Sequence, residues 1–198
     1  TLLRRGFNVV TIDQDRFREI NGEEPFSTTF HRLDALLSGT ILALSDVIFG
    51  KARRRVTISD LRSLFNEGKE GSLFISGGDP GNPKDAASRF LQAGLLKRDP
   101  RTAKGVLLNV VTPRNIPEMR TQPMIDEIFL QIGGGKSIFI GTLAEPEDSD
   151  LVDMIGIITG MDDGSVNLAD LCKKQDARAP VVKEGRQHSD RWDIPMIR

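Results

Sequence analysis

The stretch PFSTTFHRLDALLSGTILALSDVIFG, residues 25–50, decides the fold of this chain. Pro25 pre-sets the φ angle of a first helical turn, and Gly50 stands where a helix commonly ends. Between them, about 24 residues at about 1.5 Å each predict a rod roughly 36 Å long, which spans a domain or lies between two. Apolar residues recur at the three- and four-residue steps of a helix with a buried stripe, namely Phe30, Leu33, Leu37, Ile41, Leu44 and Ile48.

The helix has a wider apolar face than one stripe requires. Leu36, Thr40 and Val47 extend it, so that more than one side of the helix must be covered. The first residue is Thr1 and the chain opens directly into a strand-like run, from which we expect that a preceding part is missing. We therefore expect part of the apolar face to be exposed in this chain and to favour self-association.

The bulk properties predict one globular domain with appendages. The chain has 198 residues, 38% of them hydrophobic, and a formal net charge of −1. Nucleic acid is a poor candidate partner, because binding to phosphate backbones needs a basic excess. Neither a secretory signal nor an apolar run of about 20 residues is present, which argues against membrane insertion and favours a cytoplasmic protein. One cysteine, Cys172, and two distant histidines, His31 and His188, predict no metal site.

Short apolar runs on both sides of the long helix predict a sheet. The helical patterns between them cover Lys84 to Gln92 and Pro117 to Ile132. We expect an α+β fold, in which the long helix is followed by a mixed sheet of about four strands with helices packed on it. The last two strands are expected to pair as a hairpin. The strand-like runs are Phe7–Ile12, Gly71–Ser76, Gly105–Val111, Ser137–Gly141 and Met154–Thr159.

The loop after the long helix is basic and leads into a short amphipathic helix. Either Thr57 or Ser59 is a suitable N-cap, and with Thr57 at the cap Asp60 falls at the third helical position, close to the capping-box pattern. By pattern alone, the triplet Arg53–Arg55 is a solvated loop and Asp60 is a helix-capping acid.

The last 37 residues of the sequence divide into a polar segment, residues 162–189, and a short segment rich in large apolar residues, residues 190–198. Residues 162–189 read as a flexible linker, whereas residues 190–198 contain the only tryptophan together with Ile194, Met196 and Ile197. This composition is typical of a docking peptide that orders on its receptor. Gly135-Lys136-Ser137 fails as a phosphate-binding P-loop, because its first glycine is missing and a strand follows.

Taken in order, these motifs resemble the bacterial tubulin homologue FtsZ. The resemblance is carried by the long helix with Phe30 and Asp34, the segment VTISDLR at 56–62, GVLLNV at 105–110, IFIGT at 138–142 and the terminal DIPMIR at 193–198. It implies that residues 1–24 end a nucleotide-binding domain. Residues 51–161 would then form the second, GTPase-activating domain of the tubulin/FtsZ fold.

The resemblance implies a shared hydrolytic site, in which the loop after the long helix acts on GTP held by the next subunit. Asp60 matches one acidic position of that loop. Thr57 matches the other acidic position and Arg55 matches an asparagine, so both depart from the family pattern. Arg55 would bring positive charge to the triphosphate of the neighbouring subunit and so favour nucleotide binding and the interface. A hydroxyl cannot replace a carboxylate as a base. GTP hydrolysis by this protein would therefore be slow or absent. The alternative function is that of a non-catalytic FtsZ-like scaffold.

The same resemblance implies a base-binding end and a recruiting tail. Phe30 would stack on guanine, with Asp34 and Gln14 contacting the base of GTP or GDP and Mg²⁺ accompanying the nucleotide. Ordinary core packing remains the alternative for Phe30, and a solvated charge for Asp34. The tail would dock on adaptor and membrane-tethering proteins of a division ring at the septum, while the subunits form a homopolymer. Its residues are Asp193, Ile194, Pro195, Met196, Ile197 and Arg198.

Overall fold

A computed structural model describes residues 7–22, 25–50, 52–145 and 148–162 of the chain. Apart from Asp162, the predicted linker at 162–189 and the predicted docking peptide at 190–198 lie outside the described residues. None of the described helices is long and apolar enough to cross a membrane.

Five α-helices are described, and each begins or ends at a recognisable residue. They are α1 (Gln14–Asn21), α2 (Phe26–Phe49), α3 (Ile58–Glu67), α4 (Pro83–Gln92) and α5 (Gln122–Ile132). The predicted long helix corresponds to α2, which starts after Pro25 and ends at Gly50. The expected Pro117 to Ile132 helix is split, because Glu118–Arg120 forms a separate 3-10 turn before α5.

The sheet has five strands rather than about four. They are β1 (Val9–Thr11), β2 (Glu70–Gly78), β3 (Gly105–Thr112), β4 (Ser137–Ala144) and β5 (Val152–Thr159), in the spatial order β1-β2-β5-β3-β4. The additional strand is β1, which pairs parallel to β2 along Val9 to Thr11.

The expected hairpin of the last two strands is wrong. β5 lies between β2 and β3 and is antiparallel to both, with Ile157 opposite Leu73 on one side and Leu107 on the other. β4 instead pairs parallel to β3 on its far side. The segment between Ala144 and Val152 is much longer than a tight hairpin turn, so the chain crosses the end of β3 before it re-enters the sheet.

Helices cover both faces of the sheet. On one face α4 and α5 bury Phe90, Met124 and Ile128 against β3 and β5. On the other face α1, α2 and α3 bury a second cluster that includes Phe17, Leu36, Val47 and Leu64. This second face positions α2 and the loop that follows it.

The long helix buries one line of residues and exposes another. Leu33, Leu36 and Val47 are buried, whereas Ile41 is 66% exposed and Phe49 is 68% exposed. The expectation of a partly exposed apolar face is confirmed, although Ile41, predicted within the buried stripe, lies on the exposed side.

Candidate functional site

The loop between α2 and α3 is anchored at three points. The Gly50 amide donates to the Asp46 carbonyl 2.8 Å away and so ends α2. The Arg53 amide donates to the carbonyl of Thr142 on β4 at 2.9 Å, and the Thr142 amide donates to the Arg54 carbonyl at 3.0 Å. Val56 is 1% exposed, and its amide donates to the Val47 carbonyl at 3.3 Å. The loop is therefore held to both the helix and the sheet.

Thr142 is itself held from the opposite direction. Its hydroxyl lies 3.1 Å from a Glu118 carboxylate oxygen and donates to it, and it accepts the Arg54 amide at 3.1 Å. Thr142 is 1% exposed, so these two bonds satisfy its hydroxyl in a buried place. The backbone of the loop thus has a fixed position relative to β4.

Thr57 and Asp60 form the capping box that the spacing predicts. The Thr57 hydroxyl accepts the Asp60 amide at 3.1 Å, and Oδ2 of Asp60 accepts the Thr57 amide at 2.8 Å. The cap is Thr57 and not Ser59. Within the described part of the chain, Oδ1 of Asp60 accepts no hydrogen bond, so one carboxylate oxygen remains available to a water or a ligand.

A surface cleft of about 280 Å³ lies beside Asp60. Its wall includes Arg54, Arg55 and Val56 from the loop and Ile138, Phe139 and Ile140 from β4. The carboxylate of Asp60 is thus at a surface where another molecule can reach it. Of the predicted site residues, Asp60 and Arg55 both line this cleft, and Thr57 is bonded to Asp60 through the capping box.

Arg55 is partly committed to a structural contact. Its Nη2 donates to the Gly50 carbonyl at 2.7 Å, which satisfies a carbonyl just beyond the end of α2. Although Arg55 lines the cleft, this bond holds its guanidinium back toward the helix.

Two of the residues predicted to contact the base, Phe30 and Asp34, lie at the other end of α2. Phe30 is partly buried and Asp34 is exposed, and a spacing of four places both on one side of the helix. Gln14 is exposed at the first position of α1, which Asp13 caps through the Asp15 amide at 2.9 Å. From Phe30 to Phe49, 19 residues at about 1.5 Å each give roughly 28 Å between this end and the loop.

The glycine-rich segment at residues 133–135 does not supply a phosphate cradle. Gly133 and Gly135 have φ angles of 90° and 80° and follow the C-terminus of α5, whose carbonyl dipoles repel an anion. The predicted tail residues Asp193 to Arg198 lie outside the described part of the chain.

Sequence reasoning missed Arg54, Thr142 and Glu118. By sequence pattern Arg54 is only one member of a solvated triplet, and nothing near Thr142 in the sequence points to a loop 88 residues away. The helix α1 was also missed, although Asp13 followed by Phe17 and Ile20 carries a cap and an apolar spacing.

Comparison with solved structures shows the fold. An FtsZ dimer of M. jannaschii superposes with a TM-score of 0.68 at 22% identity, over 76% of this chain and 44% of that chain. CetZ2 from Haloferax volcanii, solved as a GTPγS-bound protofilament, gives 0.58 at 14% identity over 85% and 50%. TubZ of Bacillus thuringiensis serovar israelensis, solved as a GTPγS-form protofilament, gives 0.59 at 16% identity over 86% and 47%.

These identities are all below 25%, so the similarity is one of fold. The chain spans about half or less of the length of each of these proteins. No family model matches the sequence.

Proposed function

We propose that this chain, which has the fold of part of the tubulin-like proteins FtsZ, CetZ and TubZ, belongs to a filament-forming GTPase subunit. In this proposal the loop at residues 50–60 completes the GTP hydrolysis site of the next subunit. Two of the similar structures were solved as protofilaments in a GTPγS state, which supports self-association and a guanine nucleotide.

One observation carries the proposal, namely the separation of the two predicted half-sites. Phe30 and Asp34 lie near the N-terminal end of α2, while Asp60 follows its C-terminal end. Roughly 28 Å of helix separates the two, so one copy cannot bring both to the same nucleotide. Head-to-tail stacking of copies would bring the Asp60 loop of one subunit to the nucleotide end of the next.

The carboxylate of Asp60 is the proposed catalytic group. With Oδ2 fixed by the Thr57 amide, Oδ1 is oriented to accept a proton from, or to polarise, an attacking water. The nucleotide with its Mg²⁺ would supply the reactive γ-phosphoryl group. Base contacts would come from Phe30, Asp34 and Gln14.

Asp60→Asn tests the proposal in the full-length protein. Asn keeps an oxygen that can accept the Thr57 amide, so the cap survives while the charge is lost. GTP turnover per assembled subunit should fall at least about 100-fold, the range typical of a general base. Nucleotide binding and α-helix content should not change. Unchanged turnover would remove Asp60 from the mechanism.

A second candidate function is a non-catalytic scaffold of the same fold, and Thr57 is the observation that favours it. Where FtsZ-like loops carry a second acid, this chain has a hydroxyl engaged in the helix cap. The comparison of Thr57→Asp with Thr57→Asn separates the two functions, because both residues cap helices and only one adds a carboxylate. A scaffold would assemble with negligible turnover in the native protein and gain turnover only in Thr57→Asp.

The proposed cellular role is that of a cytoplasmic protein at the division septum, with residues 193–198 recruiting adaptor and membrane-tethering proteins. The support is the apolar composition of this peptide and the resemblance of DIPMIR to the terminal peptide of FtsZ. Fluorescence anisotropy with a peptide of residues 190–198 and division-ring adaptors is the direct test. A scrambled peptide is the control, and equal binding of the two would refute the recruiting role.

A further inference from the structure

The three arginines of the basic triplet Arg53–Arg55 differ in their hydrogen bonds and in their position relative to the cleft beside Asp60. All three residues are exposed. Arg55 is held toward Gly50 by its own hydrogen bond, and Arg53 is not among the residues that line the cleft beside Asp60. Arg54 lines that cleft, and no described side chain pairs with its guanidinium. The three positions are therefore not equivalent, as they would be in a merely solvated loop.

The backbone of Arg54 is fixed before any ligand arrives. Its amide donates to the Thr142 hydroxyl at 3.1 Å, and its carbonyl accepts the Thr142 amide at 3.0 Å. Glu118 in turn fixes the rotamer of Thr142 at 3.1 Å. An arginine on such a support loses less conformational entropy on binding than one on a free loop.

Among the described residues, the arginines that line the cleft form no ion pair with Asp60. Asp60 is the acid in the wall of the cleft, and Oδ2 of Asp60 accepts the Thr57 amide. Within the part of the chain that the structure describes, the guanidinium of Arg54 therefore has no charged partner, and the cleft places it beside Ile138 and Phe139 of β4. A planar guanidinium with several donors suits phosphate oxygens.

We propose that Arg54 binds the terminal phosphates of a nucleoside triphosphate held by an adjacent copy of the chain, and that Thr142 and Glu118 position it. The cleft beside Asp60 is then a phosphate subsite. The identity of the phosphate source rests on the proposed function, while phosphate binding by the cleft does not. In assembled filaments, Arg54 would offset the negative charge that Asp60 brings toward the phosphates.

Inorganic tripolyphosphate is the probe, titrated into the 198-residue chain by isothermal calorimetry. Arg54→Gln should weaken its binding about tenfold, as expected for the loss of a charge-assisted hydrogen bond. Arg53→Gln is the matched control, since it removes the same charge one residue away, and should change binding less than about twofold. Arg54→Lys should retain part of the affinity. Thermal melting checks that each variant is folded.

Two results would overturn the phosphate subsite. One is equal weakening by Arg53→Gln and Arg54→Gln, which would mean diffuse electrostatic attraction. The other is the absence of tripolyphosphate binding to the native chain.

The phosphate source is tested separately in the full-length protein. There Arg54→Gln should lower GTP turnover in filaments without weakening nucleotide binding to unassembled subunits, and an unchanged turnover would refute the adjacent copy as the source. If Asp60→Asn leaves turnover unchanged while Arg54→Gln still weakens tripolyphosphate binding, the proposed function fails and the phosphate subsite stands. If Asp60→Asn abolishes turnover but Arg54→Gln leaves tripolyphosphate binding unchanged, the phosphate subsite fails and the proposed function stands.

Discussion

Gly141 sets how closely the last turn of α2 approaches β4, and Gly141→Ala tests this contact. A Cβ at this position would lie 2.3 Å from Cγ2 of Val47 and 3.3 Å from Cγ2 of Val56. Ordinary van der Waals contact begins near 3.4 Å, so the first distance is 1.1 Å too short. Val47 is fully buried and has no room to withdraw. We expect a loss of about 2–3 kcal/mol in the free energy of unfolding, which is the upper range for overpacking.

A double-mutant cycle isolates the cause of this loss. Val47→Ala alone removes two buried methyl groups and should cost about 2–3 kcal/mol. In the double variant, the methyl group added at position 141 enters the space that Val47 vacates, so the total loss should also be about 2–3 kcal/mol instead of the sum. The expected coupling energy is therefore about 2 kcal/mol.

Urea denaturation followed by circular dichroism measures all four proteins. Gly134→Ala is the control, because nothing lies within 4 Å of a Cβ at that glycine, and it should change stability by less than about 0.5 kcal/mol. Additive single effects, or a Gly141→Ala variant as stable as this control, would refute the close approach of α2 to β4.

Three further predictions concern the cap, a buried acid and a buried ion pair. Thr57→Ala should lower the free energy of unfolding by about 1 kcal/mol in thermal unfolding, because the Asp60 amide loses the hydroxyl that accepts it in the capping box. Thr57→Ser keeps this hydroxyl and should leave the stability unchanged. Burial, with a nearby carboxylate, raises the pKa of Asp153 from 3.8 to about 6. The folded state therefore binds a proton that the unfolded state has released, and stability falls as pH rises from about 4 to 6. Asp153→Asn should raise the unfolding free energy at pH 7.5 by about 1–3 kcal/mol and have little effect at pH 4, so equal gains at both would contradict the sign. Glu70→Gln should cost about 1–3 kcal/mol in urea unfolding, because Arg98, whose side chain is 8% exposed and 3.0 Å from Glu70, loses its ion pair while keeping its bond to the Met161 carbonyl. Combining this change with Arg98→Met should restore much of the loss, and an unchanged stability of the single variant would refute the contribution of the buried ion pair.

The parts of this molecule that local sequence determines were predictable. Pro25 and Gly50 bound the long helix, and the spacing of Thr57 and Asp60 alone predicted a capping box. Each of these residues acts on backbone within one or two helical turns of itself. Their physical causes, a fixed φ angle and a side chain that reaches the third amide, are visible in a short stretch of chain.

Features that depend on distant pairings were not predictable. The hairpin of β4 and β5 was expected because consecutive strands commonly pair, but β5 finds more apolar surface between β2 and β3, where both of its edges are bonded. The clamp of Arg54 by Thr142 likewise joins residues far apart in sequence. The buried line of α2 was displaced from the predicted stripe, because the sheet selects which part of a broad apolar face it covers.

The strand order has a consequence for biosynthesis. β5 is the last strand of the described sheet to leave the ribosome, yet it joins β1-β2 to β3-β4. Until it emerges, a nascent chain holds two unconnected ribbons with the facing edges of β2 and β3 bare, a state open to mispairing. Completion of this domain during translation therefore waits for its final strand, and a slow codon or a stalled ribosome before Val152 would prolong the vulnerable state.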